Sequence, residues 1–240
     1  LGRVTGCMIA TQLHDNGSYS DKTFCPGYGE FYTEKDIDLE AVALAVPADV
    51  LGKPVPTQLS TIMTGAENMY NSADKKDWAA VQNEFSVMKA AWNTFKENPD
   101  KVSTRLAAQM ERALRTLEGD ALEPSVSARH TIGTRNGAID VLFAALDLEL
   151  RYRPYTEVDA DRIALFARKV LGDAAALEIG LVSSDVLALE LLQERVLPTL
   201  DQSQGAQLSV HVQELRTATD AEDFEAATEA AKNLIRLFPL

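Results

Sequence analysis

Two aspartates in one apolar segment are the residues of this chain best placed to do chemistry. Asp140 and Asp147 lie seven positions apart in the segment GAIDVLFAALDLEL, where nearly every neighbour is apolar. Seven positions are about two turns of an α-helix, so both carboxylates lie on one helix face. A carboxylate removed from water needs a cation or hydrogen-bond donors. The segment therefore predicts either ion pairs or a metal site.

Arginines follow these aspartates closely in the sequence. They are Arg151, Arg153, Arg162 and Arg168. Because a guanidinium group can satisfy a carboxylate without any metal, we favour an interior ion-pair network between the fourth and fifth helices. The alternative is a metal site formed by Asp140, Asp147 and His130.

The usual motifs of catalysis and cofactor binding are absent from the sequence. The three histidines lack a second histidine three or four positions away, and H-E-x-x-H and Glu-x-x-His do not occur. Neither do C-x-x-C, C-x-x-C-H, a nucleophile elbow, a phosphate-binding loop or G-x-G-x-x-G. We therefore expect a non-enzymatic protein, for which the sequence identifies no cofactor.

The two cysteines flank a predicted turn symmetrically. Cys7 and Cys25 lie nine residues on either side of Asn16, which is followed by Gly17. Asn-Gly is a strong signal for a tight β-hairpin, so the cysteines should face each other across two strands. This spacing favours a disulfide and an oxidising compartment, whereas two reduced thiols would be the norm in the cytosol.

The start of the chain bears on its location. It begins at Leu1 rather than methionine, which fits a processed secretory protein or a truncated chain. The small residues before Cys7 also resemble a lipoprotein cleavage site, so a lipid anchor at Cys7 is an alternative to the disulfide. We expect an extracytoplasmic protein, periplasmic or secreted, with membrane association through such an anchor or through a partner as an alternative.

Five aromatic residues are concentrated in one short segment, YSDKTFCPGYGEFY. They are Tyr19, Phe24, Tyr28, Phe31 and Tyr32. Such a density is unusual in a solvated loop. Two interpretations have equal weight, a lid over the end of the bundle and a docking surface for a partner or ligand.

The rest of the chain predicts the scaffold for these residues. Glycines, aromatic residues and both cysteines give residues 1–55 the character of strands and loops, with residues 36–46 a short helix or strand. From residue 56 to 240 apolar residues recur every three or four positions, which predicts an all-α antiparallel bundle of about eight helices, as one bundle or two packed bundles. We expect helices at 59–70, 78–95, 100–117 with an end at Gly119, 125–153, 158–171, 183–196, 202–218 and 221–238.

Two parts of the helical region match each other. Residues 70–81 match residues 216–227 at a constant offset, and both include a turn followed by Asp-Trp or Asp-Phe. Duplicated helical hairpins near 59–96 and 203–238 are one explanation, and convergence on a favourable turn is the other.

Charge limits the range of partners. The formal net charge is −13 and the pI is about 4.7, which disfavours nucleic acid and favours a basic protein surface, a cation or a small ligand. No uncharged apolar window is long enough to predict a transmembrane span.

The turns at Asp77-Trp78 and Asp223-Phe224 make the helical part similar to bacterial extracytoplasmic bundles of the imelysin-like and iron-uptake accessory families. Those families carry a His-x-x-Glu motif. His130, which is followed by Thr-Ile-Gly, does not fit this motif, and no site residue is transferred from the families. The resulting hypothesis is a non-enzymatic extracytoplasmic accessory or binding protein. The alternative is a carrier of iron, copper or haem that uses Asp140, Asp147 and His130.

Overall fold

The computed structural model describes residues 7–25, 29–35, 38–42, 52–97, 102, 104–122 and 128–239. Its N-terminal part is an antiparallel sheet with the strand order β1-β2-β3-β4. The strands are β1 (Met8–Leu13), β2 (Tyr19–Cys25), β3 (Gly29–Lys35) and β4 (Asp38–Val42).

The predicted hairpin joins β1 to β2. Gly17 adopts a φ of +81°, and its N–H donates to the carbonyl of His14 at 2.8 Å. The sequence predicted strands and loops for residues 1–55 without assigning a strand between Cys25 and residue 36, and β3 continues the sheet there. Of the two alternatives for residues 36–46, the described part is a strand.

Eight α-helices follow in the described chain, which confirms the predicted helical fold. They are α1 (Thr57–Asp74), α2 (Trp78–Phe95), α3 (Thr104–Leu122), α4 (Ala128–Glu149), α5 (Tyr155–Ala175), α6 (Ile179–Val196), α7 (Gln202–Asp220) and α8 (Phe224–Leu237). The predicted end of the third helix at Gly119 is wrong, since α3 continues to Leu122. None of the described helices is both long enough and apolar enough to cross a bilayer.

The helices form two groups with the same packing pattern. α1 packs against α2 and α4 while α3 packs against α4, and in the same way α5 packs against α6 and α8 while α7 packs against α8. The first group encloses a core that includes Met88, Trp92 and Leu142. The second encloses a core that includes Val186 and Leu208. Two four-helix bundles thus follow each other in the chain and meet where α4 contacts α5.

The turn between α1 and α2 shows how short connections build these bundles. Lys76 adopts a left-handed φ of +59°, and the N–H of Asp77 donates to the carbonyl of Ser72 at 2.9 Å. The Asp77 carboxylate then accepts from the N–H of Ala80 at 3.1 Å, so one residue closes α1 and caps α2. The chain reverses within three residues.

The same turn occurs twice more. Between α7 and α8, Glu222 has a φ of +54° and Asp223 caps Ala226 at 3.0 Å, as the internal match suggests. Between α5 and α6, Leu177 has a φ of +60°, but Glu178 makes no side-chain cap. This third copy lies outside the matching segments, so the same turn also forms without the sequence match, and duplication of the two hairpins stays a prediction.

Candidate functional site

Asp147 lies at the contact between the two bundles. Its carboxylate accepts hydrogen bonds from Arg162 of α5 and from Gln109 Nε2 of α3, the latter at 2.8 Å. Asp147 thus joins the interior ion-pair network that the sequence predicted between the fourth and fifth helices. Side chains of α3 and α5 therefore provide the hydrogen bonds and the positive charge that this carboxylate needs.

The network extends into α6 through a second carboxylate. Arg162 donates to Asp159 Oδ1 at 2.7 Å, and Arg195 Nη2 lies 2.8 Å from Asp159 Oδ2. Asp159 is completely buried, so it depends on these two guanidinium groups. Two arginines and two aspartates therefore form a chain of alternating charge across three helices.

A second cluster surrounds Arg153 between α4 and α5. Its Nη1 donates to Glu149 and to Asp161, at 2.7 Å in each case. Burial raises the pKa of both carboxyl groups above the ordinary values, and the hydrogen bonds from Arg153 offset part of this effect. Both clusters serve to hold the helices together.

A third cluster connects α1 with α4 and α5 around one aromatic ring. The guanidinium carbons of Arg135 and Arg168 lie 4.5 Å and 5.3 Å from the ring centre of Tyr70. Arg135 also pairs with Asp74 at 3.1 Å, and Arg168 pairs with Glu67 at 3.0 Å. Because each arginine has a carboxylate partner, the cluster leaves little net charge for an anionic ligand.

The structure does not bring the predicted metal ligands together. His130 is buried against Trp78, with ring centres 4.3 Å apart, near the start of α4. Asp147 is seventeen positions further along the same helix, which corresponds to about 26 Å. Asp140 is exposed between them. Within the described residues no group of three His, Cys, Asp or Glu side chains is arranged to hold a metal ion.

A pair of buried carboxyl groups between α5 and α6 was not predicted from the sequence. Asp173 and Asp185 are 7% and 2% exposed, and Lys169 Nζ lies 2.9 Å from Asp185 Oδ1. Burial and the neighbouring Asp185 raise the pKa of Asp173 to about 6, although Lys169 acts in the opposite direction. Since one lysine faces two carboxyl groups, the pair retains a proton in mildly acidic solution. Neither residue belongs to a motif, so no sequence signal marks the pair.

The N-terminal sheet carries apolar side chains that remain in solvent. Met8 and Ile9 are 70% and 72% exposed, and Leu13 and Tyr19 are 61% and 64% exposed. All six residues of β1 are exposed, and β1 is an edge of the sheet that the described strands form. These features mark a surface suited to contact with another molecule.

The predicted aromatic interface is distributed over this sheet. Tyr19 is exposed at the start of β2 and Phe24 is half-buried near its end. Phe31 and Tyr32 lie on β3, whereas Tyr28 lies outside the described residues. The exposed apolar surface extends to β1, which lies outside the aromatic segment that the sequence singles out.

The register between β1 and β2 places the cysteines opposite each other. Met8 pairs with Phe24, so Cys7, which precedes Met8, lies opposite Cys25, which follows Phe24. The backbone register therefore fits the predicted pairing, and the disulfide itself stays a prediction.

An open groove of about 540 Å³ lies between α7 and α8. Alanines line much of it, and carboxylates lie beside them. Alanine carries no functional signal in a sequence, which explains why the groove could not be predicted.

No family model, curated protein or solved structure matches this chain.

Proposed function

We propose that the chain is a non-enzymatic extracytoplasmic accessory protein that binds a protein partner along the free edge of its N-terminal sheet. The observation that carries the proposal is β1, an uncharged edge strand with every residue exposed. The partner contributes a strand that pairs with β1 and extends the sheet.

Edge strands present unpaired N–H and C=O groups, so they pair readily with other chains. Proteins that avoid such pairing place lysine or proline on the edge, or cover the edge. The β1 sequence MIATQL contains neither residue, and β1 has a strand neighbour on one side of the described sheet. The edge therefore favours pairing with an incoming strand.

The side chains of β1 supply specificity. Successive residues of a strand point to opposite faces, so Ile9 and Leu13 lie on one face and Met8 on the other. Tyr19 pairs with Leu13 across the hairpin. A partner strand would gain main-chain hydrogen bonds from the edge and apolar contacts from both faces.

The facing cysteines support the proposed compartment. A disulfide between Cys7 and Cys25 would fix the register of β1 on β2 at the open end of the hairpin. Such a bond persists in oxidising surroundings, which favours a periplasmic or secreted protein.

The proposal is tested with a photo-cross-linking residue at Gln12 of β1, and with one at the exposed Gln82 of α2 as the control. In the source cells, Gln12 should give one defined adduct whose protein is identified by mass spectrometry, and Gln82 should not. The identified protein, purified, should bind the native chain, and Ile9→Lys with Leu13→Lys should weaken binding about tenfold or more by placing charges on the edge. Equal adducts from both positions, or unchanged affinity of the lysine variant, would contradict the proposal.

A further inference from the structure

The groove between α7 and α8 has a floor made of small residues. Ala218 and Ala230 are nearly buried at its base, and Ala226 lies one helical turn before Ala230 on α8. Because alanine ends at Cβ, a third helix can approach the two backbones closely there. The stems of long side chains can also lie on such an apolar floor.

Carboxylates border this floor. Glu214 of α7 and Glu229 of α8 both line the groove, together with Asp223 at the turn. Residues 214–229 contain six acidic residues and one arginine. That arginine, Arg216, is held by Glu190 of α6 through two hydrogen bonds of 2.7 Å and 2.6 Å. Three of these acidic residues line the groove, and its lining includes no lysine or arginine.

The present partners of the rim carboxylates can be displaced. Glu214 contacts His211 at 2.9 Å, and Glu229 contacts Lys232 at 2.6 Å, each within its own helix. Pairs between exposed side chains contribute little to stability. A cationic side chain of a partner can therefore replace His211 and Lys232 with little loss of stability, while Asp223 continues to cap α8.

We propose that the groove between α7 and α8 binds a basic helical segment of a partner protein, with its alanine floor receiving the helix and Glu214 and Glu229 pairing with lysine or arginine side chains. The charge of the rim selects this occupant, since it repels acidic peptides and phosphate groups. Arginine is favoured over lysine because its planar group can pair with a carboxylate through two hydrogen bonds. This surface is distinct from the β1 edge, so either proposal can fail while the other holds.

The test uses fluorescence anisotropy with a labelled synthetic helix as long as α8 (14 residues), in which arginine alternates with leucine and alanine along one face. A second peptide carries glutamate in place of each arginine. The arginine peptide should bind the full chain at low salt, and the affinity should fall as salt rises. The glutamate peptide should not bind. Failure of the arginine peptide to bind, or equal binding of both peptides, would overturn the proposal.

Two variants with the same change in net charge locate the binding surface. Glu214→Gln with Glu229→Gln should weaken binding about fivefold or more, whereas Glu97→Gln with Glu194→Gln, at exposed positions outside the groove, should change it less than about twofold. Ala226→Phe fills the groove without changing charge and should also weaken binding. Circular dichroism verifies that each variant is folded. Equal weakening by both glutamine variants would show general attraction to an acidic protein and would overturn the groove assignment.

Discussion

Glu178 occupies a position where its two counterparts in the chain are aspartates. Its φ and ψ of −94° and 74° closely match those of Asp77 and Asp223, which both cap the following helix. Glutamate has one methylene more, and its side chain makes no cap. The backbone is therefore arranged for a cap that the residue type does not provide.

Replacing Glu178 with aspartate should supply the missing hydrogen bond at the start of α6. We expect Glu178→Asp to raise the free energy of unfolding by about 0.5–1 kcal/mol, measured by urea denaturation. Glu194→Asp, on the exposed surface near the end of α6, is the control and should have little effect. An unchanged unfolding midpoint for Glu178→Asp would show that the backbone similarity does not produce capping.

Two helical glycines should respond to alanine in opposite directions. A Cβ at Gly65 would lie 2.4 Å from Cγ of the buried Met88, whereas a Cβ at Gly119 would have nothing within 4 Å. Gly119→Ala should stabilise the protein by about 0.5–1 kcal/mol through helix propensity. Gly65→Ala should destabilise it by about 1 kcal/mol, because overpacking exceeds that gain. Thermal unfolding measures both, and stabilisation by Gly65→Ala would contradict the tight contact between α1 and α2.

The stability of the contact between α5 and α6 depends on pH, because Asp173 and Asp185 are buried there side by side. The pKa of Asp173 is about 6 in the folded protein, above the ordinary value near 4. The folded state therefore binds a proton that the unfolded state has released, so stability falls as pH rises from about 4 to 6 and stays reduced above that range.

Asp173→Asn removes this penalty. The variant should be more stable than the native chain by about 1 kcal/mol at pH 7.5, with little difference at pH 4. Urea denaturation at several pH values measures the change, and Asp220→Asn, at an exposed position, is the control. A constant difference between native and variant across this pH range would contradict the raised pKa.

Apolar periodicity predicted the helices well, because most of them bury one face in a bundle core. Their ends were less predictable. α5 begins at Tyr155, directly after Pro154, and α6 begins at Ile179, four residues before the expected start. At α3 the helix continues through the exposed Gly119 to Leu122, because a single glycine weakens a helix without ending it. Local turn chemistry, rather than the apolar pattern, sets these boundaries.

At the scale of the whole molecule, a partly buried ion pair connects the two bundles. Arg162 lies between Asp147 of the first bundle and the completely buried Asp159 of the second. The sequence indicated this network because Asp147 lies in an apolar helix followed by arginines. It could not indicate Gln109 or Arg195, which reach the network through tertiary packing.

Removal of Arg162 should strongly lower the free energy of unfolding. Arg162→Met leaves the carboxylate of Asp147 without its cation and that of Asp159 with Arg195 alone, and we expect a loss of about 3–5 kcal/mol in the free energy of unfolding. Arg216→Met removes an arginine from a more exposed pair with Glu190 and should cost no more than about 1 kcal/mol. Chemical denaturation compares the two variants. Similar losses in both would contradict a special role for the buried network.

The proposed binding surfaces were the least predictable part of the molecule. β1 is a suitable edge because of its place in the strand order and the exposure of its residues, and the groove exists because two helices expose alanines side by side. Both properties arise from the arrangement of elements. The aromatic segment lies in the same sheet as the proposed surface, but β1 lies outside that segment.

Amide hydrogen exchange of β1, measured with and without the partner identified by cross-linking at Gln12, tests strand pairing most directly. In the free protein, alternate amides of Met8–Leu13 should exchange quickly because they point away from β2. Partner binding should protect these amides and leave the exchange of α2 unchanged. If the partner binds and the outward amides of β1 still exchange at the free rate, the sheet edge is not the binding surface.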